Sequence, residues 1–131
     1  MSAPTLSPNE FCILKLLWSA NHALTRPEIL EALPEQDWNP NSILNNMIKK
    51  GVVEVEGVAR CGRGYGRTYA PTISRTEYAA AQTMDTTSDM SGGERLLGVF
   101  AALVDKQGID EKTIAELEQM LEQKRKELDA Q

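Results

Sequence analysis

The sequence has few of the residues that build metal sites, disulfide frameworks and hydrolytic active sites. Among its 131 residues are two cysteines and a single histidine. Cys12 and Cys61 form no paired metal-binding motif, and His22 stands in no recognisable arrangement with a nucleophile or a carboxylate. The histidine is therefore interpreted as an ordinary loop residue. We expect a protein that is not an enzyme and that needs no cofactor and no metal.

Long apolar runs are missing as well. No stretch of about 18 apolar residues occurs, and the first residues lack the basic start and apolar core of a signal peptide. These absences predict a cytoplasmic protein without membrane insertion. Aromatic residues make up only 5% of the chain, and its length fits one small domain or two very small ones. Any part that extends from so small a core must bury its apolar surface against a partner.

Positive charge is scarce in total but concentrated in one part of the chain. The 19 acidic and 14 basic side chains give a net charge of −5. Residues 1–78 carry eight side chains of each sign, so the whole acidic excess falls in residues 79–131. Residues 38–75 contain six basic side chains and two acidic ones. This partition predicts a basic working surface carried by an acidic body.

Four capping boxes mark the starts of helices. In a capping box, a Ser or Thr and the Glu three positions later each satisfy a free backbone N–H of the first helical turn. The pattern occurs at Ser7/Glu10, Thr25/Glu28, Ser74/Glu77 and Ser91/Glu94. The spacing of apolar residues then predicts a first helix over about residues 8–20 and a second over about 26–33.

A third helix and a hairpin follow. Asn39 is the predicted N-cap of a helix that ends at Gly51. Beyond it the apolar period changes to two, which predicts strands over about 53–60 and 67–71 joined by a glycine-rich, basic tip. Three short helices and a hairpin are the order of a winged helix-turn-helix, whose third helix enters the major groove of DNA. The sequence thus predicts a mainly α protein with a small β-hairpin, and a winged-helix DNA-binding domain over residues 1–74.

Residues 75–131 are predicted to form three further helices with thin apolar stripes. Such stripes cannot build a core alone, which favours a helical dimerisation domain. Packing on the N-terminal domain of the same chain is the alternative. The predicted dimer interface consists of Leu96, Leu97, Phe100, Leu103, Val104, Leu117, Met120, Leu121 and Leu128.

Basic side chains near the third helix and the hairpin tip are candidates for contacts with the phosphates of double-stranded DNA. At the start of the second helix, backbone N–H groups can also hold a phosphate. The candidates are Lys49, Arg60, Arg63 and Arg67, together with Thr25 and Arg26. A solvated charged surface is the alternative interpretation of the same residues.

The polar face of the third helix is predicted to contact bases. An asparagine amide can bind adenine N6 and N7 at once, which discriminates between bases by about 1–3 kcal/mol. The candidates are Asn41, Ser42, Asn45 and Asn46, with Asn39 near the DNA backbone. These side chains alternatively only cap and solvate the helix.

A function of another class is also open. The third helix and hairpin of a winged helix can bind a protein instead of DNA, with exposed aromatic side chains as the main contacts. Trp38 and Tyr65 are the candidates for those contacts. The second hypothesis is therefore a winged-helix adaptor that does not recognise DNA sequence.

With these residues in place, the chain resembles the penicillinase-repressor family of winged-helix transcriptional regulators, which has methicillin-resistance and copper-responsive branches. The resemblance covers nearly the whole length. It rests on an ordered set of motifs: Leu6-Ser7 with Glu10, Ile13-Leu14, Trp18, Thr25 with Glu28-Ile29, Leu33, Lys49-Lys50-Gly51, Tyr69, Pro71, Ser74 with Glu77-Tyr78, and Ile114-Ala115-Glu116-Leu117.

The resemblance implies a homodimeric repressor on a palindromic operator, released when a membrane-bound sensor protease triggers cleavage in the dimerisation domain. In the β-lactam branch the cleaved bond joins Asn and Phe, and Val99-Phe100 stands at that place here. The third helix also departs from the family, since Asn46 stands where Arg is common. The cysteine cluster of the copper branch has no counterpart near the C-terminus.

Overall fold

The computed structural model describes residues 4–34 and 39–130. Within these ranges, six helices and three strands follow one another. Their bounds are α1 (Pro8–Ala20), β1 (Leu24–Thr25), α2 (Arg26–Ala32), α3 (Pro40–Lys49), β2 (Val53–Cys61), β3 (Gly64–Pro71), α4 (Arg75–Thr86), α5 (Gly92–Gln107) and α6 (Glu111–Asp129). The order confirms the prediction of a mainly α protein with a winged-helix domain and a helical C-terminal region.

The predicted caps determine where the helices begin. Complete capping boxes form before α1, α2 and α4, at Ser7, Thr25 and Ser74. At Ser91 the hydroxyl accepts from the backbone N–H of Glu94. Asn39 caps α3 as predicted, because its side chain accepts from the backbone N–H of Asn41 at 3.0 Å.

The three strands form one antiparallel sheet in the order β1-β3-β2. The sequence prediction missed β1, because two residues cannot display an apolar period. The hairpin of β2 and β3 is continuous except for a bulge at Glu56, between the pairs Val55–Tyr69 and Gly57–Thr68. Thr68 Oγ1 donates to the carboxylate of this extra residue at 3.0 Å.

The core lies between the first three helices and the base of the hairpin. The largest fully buried side chains come from α1, α2, α3 and β2: Ile13, Leu14, Leu17, Ile29, Leu44, Met47 and Val53. Ile43 and Ile48 pack against this core from α3. The apolar face of α3 is therefore its buried face, and the polar face predicted to contact bases remains outside.

Helix α4 packs on α1. Tyr78 is buried against Phe11 and Trp18, with ring centroids 6.0 Å and 5.8 Å away. Trp18 Nε1 also donates to the carbonyl of Ile73 at 2.8 Å, which ties α1 to the segment before α4. The chain accordingly divides into compact units over residues 1–88 and 89–131, with α4 in the first. The functional division at residue 74 stays a prediction.

The second unit contains α5 and α6. Neither helix has a fully buried residue, although both carry large apolar side chains. Asp110 caps α6 by accepting from the backbone N–H of Thr113 at 2.9 Å. In the described part of the chain, no helix combines the length and the hydropathy needed to cross a membrane.

Candidate nucleic-acid interface

The exposed face of α3 is set by the burial of the opposite face. Leu44 and Met47 are 1% and 0% exposed, so the helix cannot rotate without opening the core. The side chains that this fixed rotation leaves exposed are those predicted to contact DNA on α3: Asn41, Ser42, Asn45, Asn46 and Lys49.

A cleft of about 420 Å³ lies between the start of α2, the first turns of α3 and strand β3. It brings together four of the predicted site residues, Arg26, Asn41, Asn45 and Arg67. The other lining residues are Pro27, Cys61, Tyr65, Gly66 and Tyr69, so no carboxylate contributes to the described lining. Two guanidinium groups beside two amides make a surface that attracts anions and offers hydrogen bonds in fixed directions.

One hydrogen bond crosses the cleft between the two helices. Arg26 Nη1 donates to Asn41 Oδ1, fifteen positions along the chain. The backbone N–H of Asn41 is also occupied, since it donates to the Asn39 side chain. Asn41 is thus held at both its backbone and its amide oxygen.

The hairpin presents a mixed basic and aromatic face. Arg60 pairs with Tyr65 and Val58 pairs with Arg67 across the ladder. Because alternate residues of a strand point to the same side, these four side chains share one face. Tyr65 is 78% exposed and Val58 is 70% exposed. Near the tip, this face of the hairpin is therefore open to a partner.

Several predicted site residues lie outside the cleft. Ser42, Asn46 and Lys49 are exposed on α3, and Arg60 and Arg63 are exposed on the hairpin and its turn. They extend the polar and basic surface beyond the cleft on both elements.

Thr25 is buried, with 3% of its surface exposed. Its hydroxyl donates to Glu28 Oε1 at 2.8 Å, and its backbone N–H donates to the same oxygen at 2.9 Å. These backbone and side-chain hydrogen bonds hold the pKa of Glu28 below its ordinary value. The geometry makes Thr25 the cap that fixes the start of α2, directly before Arg26.

Comparison with known protein families agrees with the winged-helix fold described above. The sequence profile of the penicillinase repressor family matches residues 6–123. The chain belongs to the penicillinase repressor family. A protein of Latilactobacillus sakei, described as an uncharacterised 16.5 kDa protein in the ptsI 3′ region, is 26% identical over 120 residues, which are 88% of this chain and 77% of that protein.

Penicillinase repressors are transcriptional regulators, so family membership implies DNA as a partner. The match covers the cleft, all of α5, and α6 as far as residue 123. Sequence reasoning missed the cleft residues Pro27 and Tyr69. The alternation of Tyr65, Arg67 and Tyr69 on one strand face was a signal that could have found the latter.

The expected cleavage position of a penicillinase repressor lies within α5. Val99 is half-buried and Phe100 is 46% exposed. Of the predicted dimer residues, Val104 and Leu117 are half-buried, whereas the remainder are exposed: Leu96, Leu97, Phe100, Leu103, Met120, Leu121 and Leu128. The described residues contain no cluster of side chains suited to a metal ion.

Proposed function

We propose that this chain is a homodimeric transcriptional repressor that binds a palindromic operator through α3 and the hairpin. The observation that carries the proposal is the cleft in which Arg26 and Arg67 lie beside Asn41 and Asn45 without a carboxylate in its described lining. DNA offers phosphates beside hydrogen-bonding base edges, which is the pair of chemical groups that this lining matches.

Basic side chains on either side of α3 contact phosphates in this proposal. Arg26 and Arg67 lie inside the cleft, Lys49 ends α3, and Arg60 and Arg63 lie near the hairpin tip. Each neutralised phosphate releases counterions, so binding weakens steeply as salt increases. These contacts supply affinity and place α3 in the major groove without choosing a sequence.

Base contacts come from the polar face of α3. Asn41, Ser42, Asn45 and Asn46 are exposed on a helix whose other face is anchored in the core. Asn39 contributes by capping this helix, since its side-chain oxygen is occupied by the Asn41 N–H. The amides choose among base pairs, and the rigid helix gives them the positional accuracy that such a choice requires.

The second unit supplies dimerisation in this proposal. Leu97 is 74% exposed on α5 and Leu121 is 67% exposed on α6, in helices that have no fully buried residue. Burying such side chains contributes about 25 cal/mol per Å² of apolar surface, so a second copy of the same stripe is a favourable partner. A two-fold dimer places two copies of the DNA-binding unit on two half-sites, which explains a palindromic operator.

In this proposal the repressor is released from DNA when a membrane-bound sensor protease triggers its cleavage. The bond that is cut joins Val99 and Phe100. A protease binds an extended backbone, so α5 must unwind locally before this bond is cut. The exposed ring of Phe100 supports access to the site. Cleavage there removes the second half of α5 and all of α6 from the DNA-binding unit, and with them every predicted dimer residue except Leu96 and Leu97.

A gel-shift titration with a fragment from the chain's own promoter region tests the proposal. Binding should weaken steeply with salt. Arg63→Ala and Arg67→Ala should lower affinity for all sequences alike, whereas Asn45→Ala should act at particular base pairs. Binding that is absent or insensitive to salt would count against DNA recognition, and the reverse pattern of variants would refute the assigned roles.

The adaptor is a second candidate function, and the exposure of Tyr65 favours it. Trp38, the other expected contact, lies outside the described residues. Purified protein used as bait separates the two functions. A partner protein that is recovered after nuclease treatment supports the adaptor, and loss of the partner on nuclease treatment supports DNA binding.

A further inference from the structure

We infer that Arg26 is a positioning residue that turns the Asn41 amide so that its NH₂ group, and not its oxygen, faces the bases, and so sets the base preference of Asn41. The inference rests on the proposed function and concerns the specificity of the same cleft. Arg26 Nη1 donates to one end of the Asn41 amide. A guanidinium group carries donors and no acceptor, so that end must be the oxygen.

The orientation of the amide decides what Asn41 presents to DNA. With Oδ1 directed at Arg26, the planar amide turns its NH₂ group away from α2. An NH₂ group alone binds acceptors such as guanine N7 and O6 or thymine O4, whereas adenine N6 requires a free carbonyl oxygen. Asn41 should therefore favour a base with an acceptor at its position and disfavour one with an amino group there.

Asn45 lies one helical turn further along α3 and differs from Asn41. Both line the cleft, but within the described ranges the side chain of Asn45 has no hydrogen-bond partner. Its amide keeps both a donor and an acceptor and can bind adenine in the bidentate manner. Two asparagines on one helix face thus acquire different base preferences from their surroundings.

Arg26 is well placed to hold Asn41 accurately. It is the first residue of α2, directly after the buried cap Thr25, so its backbone is fixed. Its guanidinium has five N–H donors, and the bond to Asn41 leaves others free for a phosphate. A phosphate bound there would hold Arg26, and through it Asn41, so that backbone contact and base choice are coupled.

Selection from a pool of random duplexes, followed by binding measurements on the selected duplex and its single base-pair variants, tests the inference. The variants are Asn41→Ala, Arg26→Met and the two combined. Both single variants should reduce the preference at one and the same base pair of each half-site by about fivefold, the value of one hydrogen bond. The combined variant should show no further loss, because the two residues act as one unit.

Arg67→Met is the matched control, since Arg67 lines the same cleft from β3. Both arginine variants should reduce the salt dependence by about 0.9 in the slope of log K against log[salt], which is one phosphate contact. Only Arg26→Met should also change a base preference, and Arg26→Lys, which keeps N–H donors, should restore that preference at least in part. Ratios between duplexes do not depend on the folded fraction, so a destabilised α2 cannot imitate the result.

Two outcomes overturn the inference in distinguishable ways. If Arg26→Met weakens all duplexes equally while Asn41→Ala alone changes a preference, Arg26 is a phosphate contact only, and the proposed function stands. If the unaltered protein selects no duplex and shows no salt-dependent binding, the proposed function fails together with the inference.

Discussion

Lys50 Nζ lies 2.6 Å from Glu10 Oε1, forty positions away in sequence, and ties the end of α3 to the start of α1. The same carboxylate oxygen accepts from the backbone N–H of Ser7 at 2.7 Å, and Lys50 also donates to the carbonyl of Thr5 at 2.7 Å. Glu10 is 4% exposed. A capping carboxylate thus anchors the helix that carries the candidate base contacts.

Lys50→Met should destabilise the first unit by about 2 kcal/mol, because it leaves the buried Glu10 carboxylate without its cation. The value lies below that of a fully buried pair, since a third of the Lys50 side chain is exposed. Lys49→Met, at the exposed neighbouring position, is the control and should change the free energy of unfolding by less than about 0.5 kcal/mol. Equal effects of the two substitutions in denaturant unfolding would contradict a special role for Lys50.

Protonation of Glu10 should lower the free energy of unfolding in acid. Burial raises the pKa of Glu10, but the hydrogen bonds from Lys50 and Ser7 outweigh burial and hold the pKa below its ordinary value of 4.5. A carboxyl with a lowered folded-state pKa contributes its full stabilisation above the ordinary value and loses it as the pH falls through the folded-state value. Below pH 4.5 the free energy of unfolding should therefore decline more steeply with falling pH in the unaltered protein than in Glu10→Gln.

The control for the acid effect is Glu77→Gln, which removes the carboxylate from the same position of the exposed capping box of α4. Its pH profile should keep the steep decline of the unaltered protein. A profile for Glu10→Gln that matches the unaltered protein would show that Glu10 makes no such contribution.

Gly62 should be needed for the shape of the hairpin tip. The turn between β2 and β3 has two central residues, and Gly62 is the first of them, with a φ of +62°. A hairpin turn of this length takes positive φ at the first position, where an L side chain costs about 1–2 kcal/mol. Gly62→Ala should therefore increase hydrogen exchange along β2 and β3, whereas Gly64→Ala, in open space without a positive φ, should not.

Dimerisation through the second unit predicts a change in mass on a single substitution. The unaltered chain should sediment at about twice its 14.5 kDa, and Leu121→Asp should shift it towards the monomer by placing a charge in an apolar interface. Gln119→Asp, two positions away and therefore on the opposite side of α6, should leave the dimer intact. A monomeric unaltered protein at micromolar concentration would contradict the proposal.

Local signals in the sequence predicted the helices of this chain well. The first helix has the predicted bounds because Ser7, Pro8 and Glu10 together determine where it begins. The bond between Arg26 and Asn41 and the ion pair between Lys50 and Glu10 could not be predicted, because they depend on how helices pack. The contact of Tyr78 with Trp18, which packs α4 on α1, could not be predicted for the same reason.

The central claim, that the cleft between α3 and β3 binds DNA, is tested most directly by an amide NMR titration of the full chain with a duplex from its own promoter region. The side-chain amide signals of Asn41 and Asn45 and the backbone signal of Arg67 should shift progressively as the duplex is added. Unchanged signals at these three residues in the presence of saturating duplex would contradict the claim.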